Sequence, residues 1–295
     1  MSVAQAEVLK QIYLTRSKSL ADLVKLSKLS LGKVKDCVAE LIRQGLVTEN
    51  LCVTEAGRKL MEFSRPQKAV IMATEPSLSV PESTFDQQRD LLEAKGQRTV
   101  ERLIKQLQEK NITKIVIIAD SKVEKYRYLK KKFQVELATD LDTGHADSLA
   151  ALAALNEQLE NCYLISSNLY CAAVPFSEYE LYSWYGLRSP NRQVRQEELE
   201  ALGLAYLTKD DAETIRLRLI RLANDPQQAQ LRWETCLMDG QQASVNLKIF
   251  PAQSIVRFNS YRELRKFDPG SRSLPNKALE IGVKLKSFLT EKHFV

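Results

Sequence analysis

The first sixty residues carry apolar positions at helical spacing, broken at short intervals by polar residues. Three helices are predicted from apolar positions three or four residues apart, which are Val8, Leu9, Ile12 and Tyr13, then Leu20, Leu23, Val24 and Leu26, then Leu31, Val34, Val38, Leu41 and Ile42. Ser19 is expected to cap the second helix. Gly45 is expected to adopt the left-handed backbone conformation that commonly follows the last residue of a helix, here the third. Two short strands, 46–48 and 51–54, and a helix from Glu55 to Phe63 complete the pattern.

The periodicity changes after residues 64–67, which mark a boundary. Short apolar runs then alternate with amphipathic segments, which predicts strands at 69–73, 114–119, 135–137 and 162–165 and helices at 99–110, 123–133 and 148–159. Such alternation favours an α/β, doubly wound, mostly parallel sheet. Because these sheets bind ligands at the carboxyl ends of their strands, the loops after Ala73, Ala119 and Ile165 are the expected site.

Three regions are therefore predicted. Residues 1–65 form a small helical domain, residues 66–270 an α/β domain, and residues 271–295 a C-terminal helix with apolar Leu279, Val283 and Leu285. A further cluster of aromatic residues, Tyr179, Tyr182, Trp184 and Tyr185, is predicted in a loop after the last core strand. We expect this cluster to serve packing or a subunit contact, with a cage for a choline-like cation as the alternative.

Charge is concentrated in the first region. The whole chain has 43 Lys and Arg, 37 Asp and Glu and a net charge of +6, whereas residues 1–68 hold 12 basic and 7 acidic residues and a net charge of +5. A basic domain suits a phosphate backbone, and the candidate DNA-binding residues are Lys33, Lys35, Arg43, Arg58 and Lys59. The alternative is a domain used for dimerisation or for docking on its neighbour.

Histidine and cysteine usage excludes several classes of protein. Only His145 and His293 are present, which leaves little from which to build a Ser-His-Asp triad and too few residues for a histidine-rich zinc site. The five cysteines are odd in number and never arranged as C-x-x-C, which argues against a disulfide framework. Neither a secretory leader nor an apolar stretch of about 20 residues is evident. We expect a cytoplasmic protein without a membrane partner.

The helical domain resembles a winged helix-turn-helix domain, especially of the MarR-like kind. The likeness rests on Leu41, Gly45, Leu46 and Val47 at the exit of the third helix and on the turn at 53–57. This resemblance implies a domain that contacts DNA.

Residues 68–269 resemble the nucleotidyltransferases that activate sugar phosphates and phosphocholine, most closely the bacterial CTP:phosphocholine cytidylyltransferases. The matching segments follow in order, including the helix from Thr99 to Gln108, the strand at 163–165, Trp233 with Glu234, and the closing run at 261–268. The resemblance implies a Rossmann-type nucleotidyltransferase sheet. It also implies a nucleotide site whose candidate residues are Ala73, Thr74, Glu75, Arg89 and His145.

The residues that carry the chemistry of that family differ here. Glu75 and Pro76 stand where the family has a glycine-rich phosphate loop, and Arg89 stands where it has a lysine. The family's metal aspartate falls on Asn168 and the aspartate before it on Ser166, while Glu234 remains at the position of a late acid. An amide is a poorer partner than a carboxylate for Mg²⁺. No catalytic residue is therefore assigned, and Arg89, Asn168 and Glu234 are degenerate positions.

These observations predict a catalytically impaired, nucleotidyltransferase-like regulator or accessory sensor with a DNA-binding winged helix. The expected partners are DNA, a nucleotide or phosphocholine-like ligand, and a second copy of the chain. No cofactor is expected. Mg²⁺ would be required only if the domain retains nucleotidyltransferase activity. One alternative is an active nucleotidyltransferase with an atypical metal site using Arg89, Glu234 and Asp140 or Asp142. Another is a scaffold that pairs with an active paralogue.

Overall fold

A computed structural model describes most of the chain. The described residues are 1–16, 19–73, 92–119, 123–139, 149–153, 159–189, 199–229, 231–238, 245–259 and 261–270. The helix predicted within 271–295 lies outside these ranges.

Four helices form the N-terminal unit, and their bounds are α1 Val3–Thr15, α2 Leu20–Ser27, α3 Leu31–Arg43 and α4 Glu55–Phe63. Three of these helices are capped at the N-terminus: the side-chain hydroxyls of Ser2, Ser30 and Thr54 accept hydrogen bonds from backbone N–H groups of the first turn. Gly45 follows α3 with a φ of +70°, as its position in the sequence predicted. The four predicted helices are confirmed.

Two details of the N-terminal unit were predicted wrongly. The two expected strands are a single antiparallel bridge between Val47 and Val53. Leu26 belongs to the apolar positions that predict the second helix and would be buried with them, but 42% of it is exposed, whereas Leu23 is fully buried. Helix α2 has only eight residues, and it contacts α1 and α3 along one narrow face. Leu26 lies outside that face.

The core of the N-terminal unit is completed by residues from much later in the chain. Helices α1 and α3 pack their buried residues Val8, Leu9, Val34 and Leu41 together. Tyr179 is buried in the same cluster, and Leu181 packs against it. The N-terminal unit therefore shares its core with the α/β domain.

The α/β domain is built on a seven-stranded sheet in the order β10-β8-β9-β6-β1-β4-β5. Its strands are β1 Lys68–Met72, β4 Lys114–Ala119, β5 Glu136–Thr139, β6 Cys162–Ser166, β8 Trp184–Ser189, β9 Glu200–Leu207 and β10 Asn246–Pro251. Pairing is parallel except along β9, which runs antiparallel to β6 and β8. This confirms the predicted mostly parallel α/β sheet.

Shorter elements join the strands of this sheet. Two small antiparallel pairs are formed by β2 Glu93–Ala94 with β3 Gln97–Arg98 and by β7 Leu169–Cys171 with β11 Ile255–Arg257. The helices of the domain are α5 Thr99–Gln108, α6 Arg127–Phe133, α7 Leu149–Ala153, α8 Lys209–Ala223, α9 Thr235–Met238 and α10 Tyr261–Phe267. A 3₁₀ turn, Val123–Tyr126, occupies the start of what was predicted as one helix from residue 123 to 133.

Apolar clusters cover both faces of the sheet. One cluster joins β1, β4 and β6 to α5 and α6, and the other joins them to α7, α8 and α9. The strands are buried on both sides, which explains their uninterrupted apolar runs in the sequence. Within the described ranges, no helix is long and apolar enough to cross a membrane.

Candidate functional site

The site lies where β1 and β6 end side by side. Ser167 N donates to Met72 O at 2.8 Å, and Ala73 N donates to Ile118 O at 2.8 Å, so backbone bonds fix this edge of the sheet. Ala73 is fully buried, and its carbonyl accepts from Tyr126 Oη at 2.9 Å. Ala73 thus lies at the predicted edge with its backbone polar groups in use.

The other predicted nucleotide-binding residues, Thr74, Glu75, Arg89 and His145, lie outside the described residues, as do Asp140 and Asp142.

Asn168 follows β6 and is held in one orientation by the strand opposite. Its Nδ2 donates to Phe258 O at 2.9 Å, and its own carbonyl accepts from Phe258 N at 3.1 Å. Its side-chain oxygen, Oδ1, is buried and has no hydrogen-bond partner among the described residues. The amide therefore presents a fixed, neutral acceptor where the resemblance implies a metal-binding aspartate.

Glu234 lies just before α9 and is 3% exposed. Its Oε1 accepts from Arg257 Nη1 at 2.7 Å and from Arg232 Nη2 at 2.8 Å. Arg257 is 6% exposed, and its Nη2 donates to Ser166 Oγ at 3.2 Å. A guanidinium thus bridges Glu234 to Ser166, where the resemblance implies the first of two aspartates.

Gly203 of β9 makes room for this guanidinium. Its φ is +68°, and a Cβ on it would overlap Ser166 Oγ and lie 3.0 Å from the guanidinium carbon of Arg257. Glycine is the residue that tolerates both this backbone conformation and this close approach.

The residues at the metal positions do not fit Mg²⁺. Magnesium prefers carboxylate oxygens, and of the three positions only Glu234 supplies one, which two guanidiniums already hold. Ser166 and Asn168 are neutral. Among the described residues, no three His, Cys, Asp or Glu side chains lie close enough to hold a metal ion. Cys236 is next to this corner, and burial raises the pKa of its thiol to about 12, so it stays protonated.

Sequence reasoning identified Asn168 and Glu234 but missed Arg257, Arg232 and Gly203. Arg257 stands in the apolar run Ile-Val-Arg-Phe, and Gly203 interrupts an otherwise apolar strand. An isolated glycine in a strand signals close backbone approach, and a charged residue in an apolar run signals a buried partner. Neither signal names the partner.

The aromatic cluster forms part of the packed core. Trp184 and Tyr185 lie in β8 and are buried, which corrects the prediction of a loop, because alternate residues of this strand face the two apolar clusters. The face of Trp184 is covered by Lys248 of β10, whose Nζ lies 4.1 Å from the ring centroid. Burial lowers the pKa of this lysine, which also lies 3.3 Å from Glu180. A cation from the chain itself therefore occupies the place considered for choline.

The candidate DNA-binding residues differ in their surroundings. Lys33 and Lys35 are exposed on α3. Arg43 forms an ion pair with Glu40, and Arg58 and Lys59 both lie near Glu55. The three basic side chains are exposed. Arg43, Arg58 and Lys59 thus each lie near a carboxylate.

The sheet defines an α/β domain, and comparison with solved structures shows that its fold is that of nucleotidyltransferases. No family model matches the chain. Its sequence is related to the choline-phosphate cytidylyltransferase of Haemophilus influenzae, with 24% identity over 196 residues that cover 58% of this chain and 82% of that protein.

Solved structures agree on the fold. The CTP:phosphocholine cytidylyltransferase of Streptococcus pneumoniae superposes with a TM-score of 0.58 at 21% identity, covering 68% of this chain and 97% of that one. A putative glucose-1-phosphate thymidylyltransferase from Bacillus anthracis gives a TM-score of 0.50 at 11% identity, covering 70% and 96%.

Proposed function

We propose that the chain is a regulator or accessory sensor in which a catalytically impaired nucleotidyltransferase-like domain is joined to a DNA-binding winged helix. The observation that carries the proposal is the pairing of Glu234 with Arg232 and Arg257 at the candidate metal position. A carboxylate held by two guanidiniums is not available to coordinate a metal.

Nucleotidyl transfer places new negative charge on the phosphates in the transition state, and a bound metal is the usual means of stabilising it. Here Ser166 and Asn168 replace the carboxylates that the resemblance leads one to expect. Without an anchored metal beside the reacting phosphorus atom, transfer is expected to be slow or absent. The fold that would surround a nucleotide or a phosphorylated headgroup is nevertheless kept, which supports a binding role.

The order of elements in the N-terminal unit supports a winged helix. Three helices are followed by the Val47 to Val53 bridge and a fourth helix, and Lys33 and Lys35 lie on the exposed side of the third. The net charge of +5 over residues 1–68 supports phosphate contacts. In this account α3 lies against DNA and the bridge forms the wing.

Contacts between the two units support a sensor in which one responds to the other. Glu180 N donates to Ser64 O at 3.0 Å, and Asn161 Nδ2 donates to Phe63 O at 2.8 Å. The segment containing Glu180 follows β7, which begins one residue after Asn168. A ligand at the site would thus lie at the start of the segment that reaches the N-terminal unit.

Two measurements on the full chain test the proposal. A gel shift with duplex DNA across a salt series should give binding that weakens steeply with salt, because phosphate contacts release counterions. Calorimetric titration with CTP and with phosphocholine, each in EDTA and in Mg²⁺, should give binding of one of them without turnover. Absence of DNA binding at low salt would rule out a DNA-binding regulator. Turnover of CTP and phosphocholine that is lost on Glu234→Ala would establish an enzyme.

A further inference from the structure

Four separate segments of the α/β domain meet around the guanidinium of Arg257. They contribute Ser166 from the end of β6, Gly203 from β9, Glu234 before α9 and Arg257 itself from the end of β11. Ser166 is fully buried, and Glu234 and Arg257 are 3% and 6% exposed. The guanidinium is therefore an interior group with defined partners.

The position is shaped to hold a guanidinium. Arg257 uses one nitrogen for the Glu234 carboxylate and another for the Ser166 hydroxyl, at 2.7 and 3.2 Å. Gly203 leaves open the space that any Cβ would take from these two side chains. The antiparallel pairing of Arg257 with Leu169 fixes its backbone beside the strand that follows Asn168.

The charges of this corner leave no place for a divalent cation. Arg232 and Arg257 both form ion pairs with Glu234, and arginine cannot lose its proton at any pH at which the protein is folded. A metal here would compete with two guanidiniums for one carboxylate and would be repelled by both in a poorly solvated site.

We propose that Arg257 is a built-in cation that takes the place of a divalent metal, so that the Glu234 carboxylate is paired without one and a metal binds only when Arg257 is removed. This inference concerns the site on which the proposed function rests, but it requires neither nucleotide nor DNA. It accounts for a buried Glu234 in a site where the two other metal positions have lost their charge.

The test is a titration of the metal-free full chain with Mn²⁺, followed by the electron paramagnetic resonance signal of the free ion. Four proteins form a cycle: wild type, Asn168→Asp, Arg257→Gln, and the two substitutions combined. Wild type and Asn168→Asp should bind no Mn²⁺ saturably, because Arg257 is present in both. The combined variant should bind one Mn²⁺ saturably, at least about tenfold more tightly than any residual binding by the wild type or Asn168→Asp.

Two controls locate the effect. Adding Glu234→Gln to the combined variant should abolish the new binding, which places the ion at Glu234. Arg232→Gln combined with Asn168→Asp removes the other arginine and should bind no Mn²⁺, since Arg257 stays.

Saturable Mn²⁺ binding by wild type that is lost on Glu234→Gln would overturn the proposal, and so would binding by Asn168→Asp alone. Both of these proteins keep Arg257, so the proposal is tested even if Arg257→Gln does not fold. Failure of the proposed function would instead appear as absent DNA and nucleotide binding, which this titration does not involve.

Discussion

Lys10 of helix α1 and Glu180 of the α/β domain form an ion pair across the junction of the two units, with 3.7 Å between Nζ and the carboxylate. Glu180 is 2% exposed and also accepts from Tyr163 Oη at 3.1 Å and from Lys248 Nζ at 3.3 Å. A carboxylate buried to this extent needs all of its partners. The N-terminal unit is therefore docked on the sheet through a polar network as well as through apolar contacts.

Tyr179 is expected to stabilise both units together. Its ring is 4% exposed, packs edge-on against Tyr13 with centroids 5.1 Å apart, and lies under the guanidinium of Arg65. Tyr179→Ala should lower the free energy of unfolding by about 3 to 5 kcal/mol, the range for removing a buried aromatic side chain. Urea unfolding followed by circular dichroism measures this.

The matched control for this change is Val174→Ala in the same segment, where the side chain is 38% exposed and the expected change is within about 0.5 kcal/mol. Equal effects of the two substitutions would show that Tyr179 does not hold the junction.

Gly203→Ala should destabilise the protein more than Gly96→Ala. Both glycines have positive φ, +68° and +73°, so both substitutions introduce backbone strain of about 1 kcal/mol. At Gly96 nothing lies within 4 Å of the added Cβ, whereas at Gly203 the Cβ overlaps Ser166 and Arg257. The overlap should add about 1 to 3 kcal/mol, measured as the difference between the two unfolding free energies. Similar losses would mean that the Arg257 guanidinium is not held against β9.

Lys33 and Lys35 are expected to contact DNA. Replacing both by glutamate should weaken binding in the gel shift and lower the slope of log affinity against log salt by about 2, since each phosphate contact contributes roughly 0.9. The control is Lys105→Glu with Lys114→Glu, which makes the same charge change at exposed positions of the α/β domain. If the control weakens binding equally, the effect is one of net charge and not of helix α3.

Thiol reactivity should distinguish one cysteine from four. Cys52 is exposed near the bridge, whereas Cys37, Cys162, Cys171 and Cys236 are buried and all five are free. Burial raises the pKa of the last three thiols to about 12, which leaves them protonated at pH 8. A thiol-disulfide reagent at pH 8 should modify one thiol rapidly in the native protein and all five after denaturation, and Cys52→Ser should abolish the rapid reaction. Rapid reaction of two or more thiols would contradict the described packing.

The elements that follow from local chemistry were predicted well. Helix α4 begins and ends where expected because Thr54 caps it and its apolar face repeats regularly, and β4 matches its prediction residue for residue because both faces are buried. The strand β8 was missed because its aromatic residues follow a polar, proline-containing stretch, and because its burial depends on β9 and β10 beside it.

The candidate site was predicted only in part for the same reason. Asn168 and Glu234 could be found by their place in a family pattern. Arg257 has no such place, and its partner Ser166 is 91 residues away in the sequence. Its role depends on how β6, β9 and β11 are brought together, which the order of residues alone does not specify.

On the proposed function, the α/β domain keeps a nucleotidyltransferase fold without metal-dependent chemistry. Release of pyrophosphate from CTP in the presence of phosphocholine and Mg²⁺, measured with the wild-type chain, tests this. We expect no release above that of a Glu234→Gln control. Pyrophosphate release that requires Mg²⁺ and falls on Glu234→Gln would show that the domain is an active nucleotidyltransferase.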